Sequence, residues 1–76
     1  MLPAMFFRLS TERAEMVTIR DFASVGEVAG ALTGYGLTVD ETALASELAK
    51  GPWSTVVPDS GTEVTLSVST VVRRIS

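Results

Sequence analysis

The sequence predicts an α+β fold: a mixed sheet of four to five strands with one main helix packed on one face. Three observations carry this. Two short alternating runs, "MFFRLS" and "EMVTIRDF", open the chain. A stretch with helical spacing, "SVGEVAGAL", follows them. A long alternating run, "TEVTLSVSTVV", closes it. Strands repeat every two residues and helices every 3.6, so the change of period marks the change of element.

In "MFFRLS", Met5, Phe7 and Leu9 share one face, and Phe6, Arg8 and Ser10 the other. "TERA" reads as a polar turn. In the run after it, Val17 and Ile19 fall on one face, Thr18 and Arg20 on the other. Together the two runs read as a β-hairpin. Ser24 and Glu27 have capping-box spacing. Val25, Val28, Ala29 and Leu32 then follow one helix face. Gly26 and Gly30 weaken this helix by roughly 1 kcal/mol each relative to alanine, which suggests close packing on the sheet. "TGYG" stops it, with Gly34 or Gly36 able to take a left-handed cap conformation.

Residues 38–51 stay open between two readings. Asp40 caps a short helix carrying Leu44 and Leu48, closed by Lys50 and Gly51, or Ala43–Leu48 is a short strand. Alanine, leucine and glutamate favour the helix. Thr55–Val57 reads as a short strand and "PDSG" as a turn. Val64, Leu66, Val68, Thr70 and Val72 then line one face of a long last strand, with Val68 and Val72 continuing the buried side.

The chain has 76 residues, which allows one domain, 1–76, with 73–76 as a short tail. A domain this small buries only roughly 60% of its unfolded surface. It has no cysteine and no histidine. That removes disulfides, thiolate metal sites, the commonest general base and the commonest pH switch. Charged residues make up only 20% and hydrophobic ones 46%. Such a chain is globular, and its apolar surplus suits burial in a partner or in a homodimer.

Net charge is −3, which argues against nucleic acid as a partner. From Asp21 to Glu63 there are seven acids and one base, Lys50. Arg8, Arg13, Arg20, Arg73 and Arg74 lie outside that stretch. The plain reading is a solvated acidic middle; the sharper one is that the chain ends meet and form a basic patch. "MLPAMFFRLS" has no basic leader, and Arg8 interrupts its apolar run, so no signal peptide is expected. No stretch reaches the roughly 18 apolar residues of a membrane span. A cytoplasmic protein is the expectation.

The order of hairpin, helix, irregular middle, short strand, turn and long strand resembles the ubiquitin-like β-grasp arrangement. "FFRLS…AEMVTIRDFASVGEVAGAL" and "WSTVVPDSGTEVTLSV" are similar to segments of its bacterial sulfur-carrier branch. That branch comprises the thiamine-biosynthesis sulfur carriers and the small subunit of molybdopterin synthase. The resemblance implies a sheet with the first strand between the second and the last, and partners bound through the sheet's open face. It also implies a terminal Gly-Gly, which carries the family's chemistry. "TVVRRIS" stands in its place, and no Gly-Gly pair occurs in the sequence. No residue is therefore carried over as an active terminus. Stiff β-branched residues and arginines suit docking on a surface better than threading into an active site.

No catalytic constellation emerges. Asp40 with Glu41, and Asp59 with Glu63, are spaced as capping and turn acids rather than as an acid–base pair. Serines and threonines lack a histidine to activate them. The glycines at 26, 30, 34 and 36 have no G-K-[ST] and form no phosphate loop. No cofactor and no metal are expected.

On the register above, Phe6, Arg8, Thr18, Arg20, Thr65, Ser67, Ser69, Val71 and Arg73 point away from the helix. Aromatic and arginine anchors among small polar residues are what protein interfaces use. The alternative is that serine and threonine simply suit a solvated strand. Trp53 is a core-rim anchor or an interface anchor. The candidate partner-binding set is Phe6, Arg8, Arg20, Trp53, Val71, Arg73 and Arg74. The function expected is a non-catalytic protein-interaction module that resembles a sulfur carrier without its chemistry. The alternatives are an accessory subunit of a sulfur-transfer or molybdopterin-type enzyme, and a phage or mobile-element protein that mimics a host carrier.

Overall fold

A computed structural model describes residues 4–73 of the chain, without the side chains of Ala4 and Arg73. The element order is β1 (Ala4–Arg13), β2 (Met16–Phe22), α1 (Val25–Thr33), α2 (Glu41–Lys50), β3 (Trp53–Asp59) and β4 (Thr62–Arg73). The strands form one sheet in the order β2-β1-β4-β3. The expected α+β class holds, with four strands. Two expectations need correction. The sheet is antiparallel at every pair rather than mixed. Two helices of similar length, nine and ten residues, take the place of one main helix.

Both corrections have one cause. β2 stops at the end of the sheet where β1 starts. α1 carries the chain toward the other end, where the Tyr35 hydroxyl lies 3.4 Å from Thr11 Oγ1. Entering the next strand from there would make it parallel to β2. Instead the chain doubles back, and the Glu41 carboxylate lies 3.2–3.3 Å from where a Cβ on Gly26 would sit. α2 then delivers the chain to the starting end, and β3 begins with Trp53 beside Val68, itself beside Leu9. β3 therefore runs opposite to β2, and β4 opposite to β1.

Local chemistry sets the element ends. Ser24 Oγ accepts from the Glu27 N–H at 3.2 Å, and the Glu27 carboxylate accepts from the Ser24 N–H at 3.2 Å. This completes the capping box that begins α1. Past its end the chain turns through Gly36 at φ +82°. Asp40 caps α2 by accepting from the Ala43 N–H at 3.1 Å, which settles residues 41–50 as helix. Ser60 and Gly61, at φ 53° and 82°, form the two-residue turn between β3 and β4. Both residues take the left-handed conformation that such a tight hairpin requires. The strand before it runs through Pro58 to Asp59, longer than the expected Thr55–Val57.

The core lies between one sheet face and the helices. Phe7, Leu9, Val57, Val64, Leu66 and Val68 meet Val28, Leu32, Leu44 and Leu48, all of them buried. Val72 shares this face but is exposed. Gly30 is exposed, with nothing within 4 Å of a built Cβ, so it serves no close packing on the sheet.

The β1–β2 register overturns one reading of the sequence. The turn is only Ala14–Glu15, with Ala14 at φ 52°, and Arg13 pairs with Met16. A two-residue loop sets odd positions of β1 opposite even positions of β2. Leu9 is buried and stands opposite Arg20, so Arg20 and Thr18 belong to the helix-bearing face. Val17 and Ile19 take the open face, opposite Glu12 and Ser10.

Candidate partner-binding face

The open face is built row by row from strand register. Phe6 on β1 stands opposite Val71 on β4. The next row runs Asp21, Arg8, Ser69. The third crosses all four strands as Ile19, Ser10, Ser67, Ser54. The fourth is Val17, Glu12, Thr65, Val56. Small hydroxyl side chains fill the centre. Val17 (58% exposed) and Ile19 (57%) stand on one flank, and Val56 (54%) on the other.

Arg8 is held in place from two sides. Its Nε donates to Asp21 Oδ1 at 3.0 Å, and a terminal nitrogen donates to Oδ2 at 3.4 Å. Its guanidinium sits 5.5 Å from the centre of the Phe6 ring. The hydrogen bond to Asp21, and then that residue's charge, raise the Arg8 pKa above its ordinary value. The result is a fixed cation beside an aromatic ring, at the apolar end of the face.

The structure brings together only part of the expected set. Phe6, Arg8 and Val71 cluster on the open face. Arg20 belongs to the helix-bearing face, with its guanidinium 5.0 Å from the centre of the Phe22 ring. Trp53 also faces the helices, beside Val68, and packs against the core. This is the core-rim anchor of its two expected roles. Arg73 ends β4 opposite Ala4, and Arg74 lies outside the described residues. The first and last strands do pair, and the three arginines whose side chains are described, Arg8, Arg13 and Arg20, do not cluster, while the Arg73 side chain and Arg74 lie outside the description. Arg8 pairs with Asp21, Arg13 with Asp59, and Arg20 is on the opposite face from Arg8. Sequence reasoning missed Val17, Ile19 and Val56 as open-face residues. The parity of a two-residue hairpin turn was the signal that could have placed the first two.

Chemically, the face offers hydroxyl donors and acceptors, apolar contact, one cation anchored by Asp21, and the exposed carboxylate of Glu12. Among the described residues there is no cluster of three His, Cys, Asp or Glu side chains able to hold a metal ion. No described helix is long and apolar enough to cross a membrane. On the other side of the sheet, a pocket of about 390 Å³ opens between Met5, Phe7 and Thr70 of the sheet and Val25, Leu48 and Ala49 of the helices. Among the described residues lining it, Thr70 alone carries a polar side chain.

No protein-family model, curated protein or solved structure matches the chain.

Proposed function

We propose that this protein is a small non-catalytic module that acts by binding another protein through the open face of its sheet. One observation carries the reading. Both described helices cover the same sheet face, and the other face keeps Val17, Ile19 and Val56 more than half exposed around a hydroxyl-lined centre. The exposed large hydrophobics divide evenly between the faces, with Met5, Met16 and Val72 on the helix-bearing side. What favours the open face is that Val17 and Ile19 stand together on β2 with no described helix over them and with an arginine and an aromatic on the adjacent strand, as interaction surfaces have. The ion pair with Asp21 pre-orders Arg8, which lowers the entropy lost when a partner covers it.

The β-grasp reading draws support from β1, which lies between the second and last strands, and from the helices gathered on one face. The antiparallel β1–β4 pair departs from the mixed sheet that the resemblance implies. The proposal therefore rests on the open face and not on the likeness to sulfur carriers.

The test is recovery of partners by immobilised protein from the source cell extract. Wild type is compared with Phe6→Ala plus Arg8→Glu, and with Thr42→Ala on the exposed side of α2 as control. Loss with the double variant alone is expected. Equal recovery by all three overturns the proposal.

A further inference from the structure

Six of the nine acids are engaged within the fold. Asp21 pairs with Arg8, Asp59 with Arg13 and Glu47 with Lys50. Glu27 and Asp40 serve the caps of the two helices, and the Glu41 carboxylate lies against the first turn of α1. Glu12, Glu15 and Glu63 are left, all exposed, with no hydrogen-bond or ion-pair partner among the described residues. They gather at one end of the sheet. Arg13 pairs with Val64, which brings Glu63 beside the Ala14–Glu15 turn. On the open face Glu12 stands opposite Thr65, and Glu63 is two residues from Thr65 on the same side of β4. Such a diagonal sets two side chains about 7–8 Å apart. No base stands across from either on this face: Glu12 has Val17 and Thr65, and Glu63 has Pro58. Arg13 shares the helix-bearing face with Val64 and is taken by Asp59. Arg73 ends β4 opposite Ala4, roughly 26 Å from Glu12 along β1, well beyond the screening length of about 8 Å at physiological salt. Like charges placed this way repel, so the fold gains nothing from the pair. Around them Val17, Val56 and Pro58 present exposed apolar surface.

We infer that the partner taken by the open face is a basic protein segment, whose lysine or arginine side chains meet Glu12 and Glu63 while its apolar side chains cover Val17 and Val56. This rests on the open-face reading proposed above and adds the partner's charge and its orientation. The basic part lies toward the Ala14–Glu15 turn, away from Arg8. Arg8 calls for no anion, because Asp21 already matches its charge. The unmatched charge of this face is therefore negative. Covering it with an uncharged or acidic surface would take water from two carboxylates and give nothing back. Lysine or arginine offsets that cost and steers the encounter.

The test titrates the full chain with three peptides of equal length, in which valine alternates with lysine, with serine or with glutamate, and follows backbone amide shifts by NMR. Binding of the lysine peptide alone is expected, with the shifts centred on Val17, Glu12, Thr65 and Val56. Raising the salt from about 0.05 to 0.5 M weakens it, because contacts between exposed charges are screened. Glu12→Gln with Glu63→Gln lowers the affinity about fivefold, the effect of losing two surface ion pairs. Both sites are exposed, so the fold is retained. Glu41→Gln with Glu47→Gln makes the same change of net charge on α2 and leaves the affinity unchanged. No binding of the lysine peptide, equal response to the lysine and glutamate peptides, shifts centred on the helices, or an affinity indifferent to the Glu12 and Glu63 variant overturns the inference. Capture of a partner that is lost with Phe6→Ala plus Arg8→Glu, yet kept by the Glu12 and Glu63 variant, sinks this inference alone. Capture indifferent to both variants sinks the open-face reading and this inference with it.

Discussion

Ile19 stands directly opposite Ser10 across the β1–β2 pair. From this one relationship follow the exposure of Ile19 and Val17, the placement of Arg20 over Phe22, and the apolar flank of the open face. An isoleucine beside a serine on a bare sheet face contributes little to folding.

The two sheet faces therefore respond differently to substitution. Ile19→Thr keeps a β-branched side chain at a site already more than half exposed, and its stability stays within about 0.5 kcal/mol of wild type. Leu66→Ala empties a fully buried site and costs about 2–5 kcal/mol. Urea unfolding midpoints of the two variants check this ordering. Near-equal losses would mean that Ile19 is buried.

Gly30→Ala stabilises the protein by about 1 kcal/mol, since the helix gains alanine propensity and nothing lies within 4 Å of the new methyl group. Gly26→Ala gains less, because its Cβ meets the Glu41 carboxylate at 3.2–3.3 Å and displaces it. Melting temperatures of the two variants rank them.

Ser24→Ala removes the side-chain oxygen that receives the Glu27 N–H, and costs about 1 kcal/mol. Ser24→Thr retains the oxygen and most of the stability. The comparison is made by thermal unfolding, with loss in both variants counting against the cap.

Much of this architecture was legible in the sequence. The capping box at Ser24 and Glu27, the Leu44–Leu48 spacing and the alternation of Val64, Leu66 and Val68 each report a local period, and local periods survive into the fold. Parallel or antiparallel pairing depends on where a connection ends, and that could not be read while residues 38–51 stood between helix and strand. The faces of β2 were misread for a different reason. Val17 and Ile19 look like core by composition, but the hairpin turn fixes their register, and turn length outranks hydrophobicity on an edge strand. Of the candidate site, Phe6, Arg8 and Val71 were legible because β1 and β4 are the central strands with one buried side. Arg20 went astray with β2.

The central claim is that one sheet face is packed against helices and the other is free, with Val17 and Ile19 on the free side. Solvent paramagnetic relaxation of methyl groups, recorded by NMR on dilute monomeric protein, tests it directly. The account predicts strong relaxation at Val17, Ile19 and Val56, and protection at Val28, Val64, Leu66 and Val68, which are fully buried. Methyl groups of Val17 and Ile19 as protected as that of Val64 would contradict it.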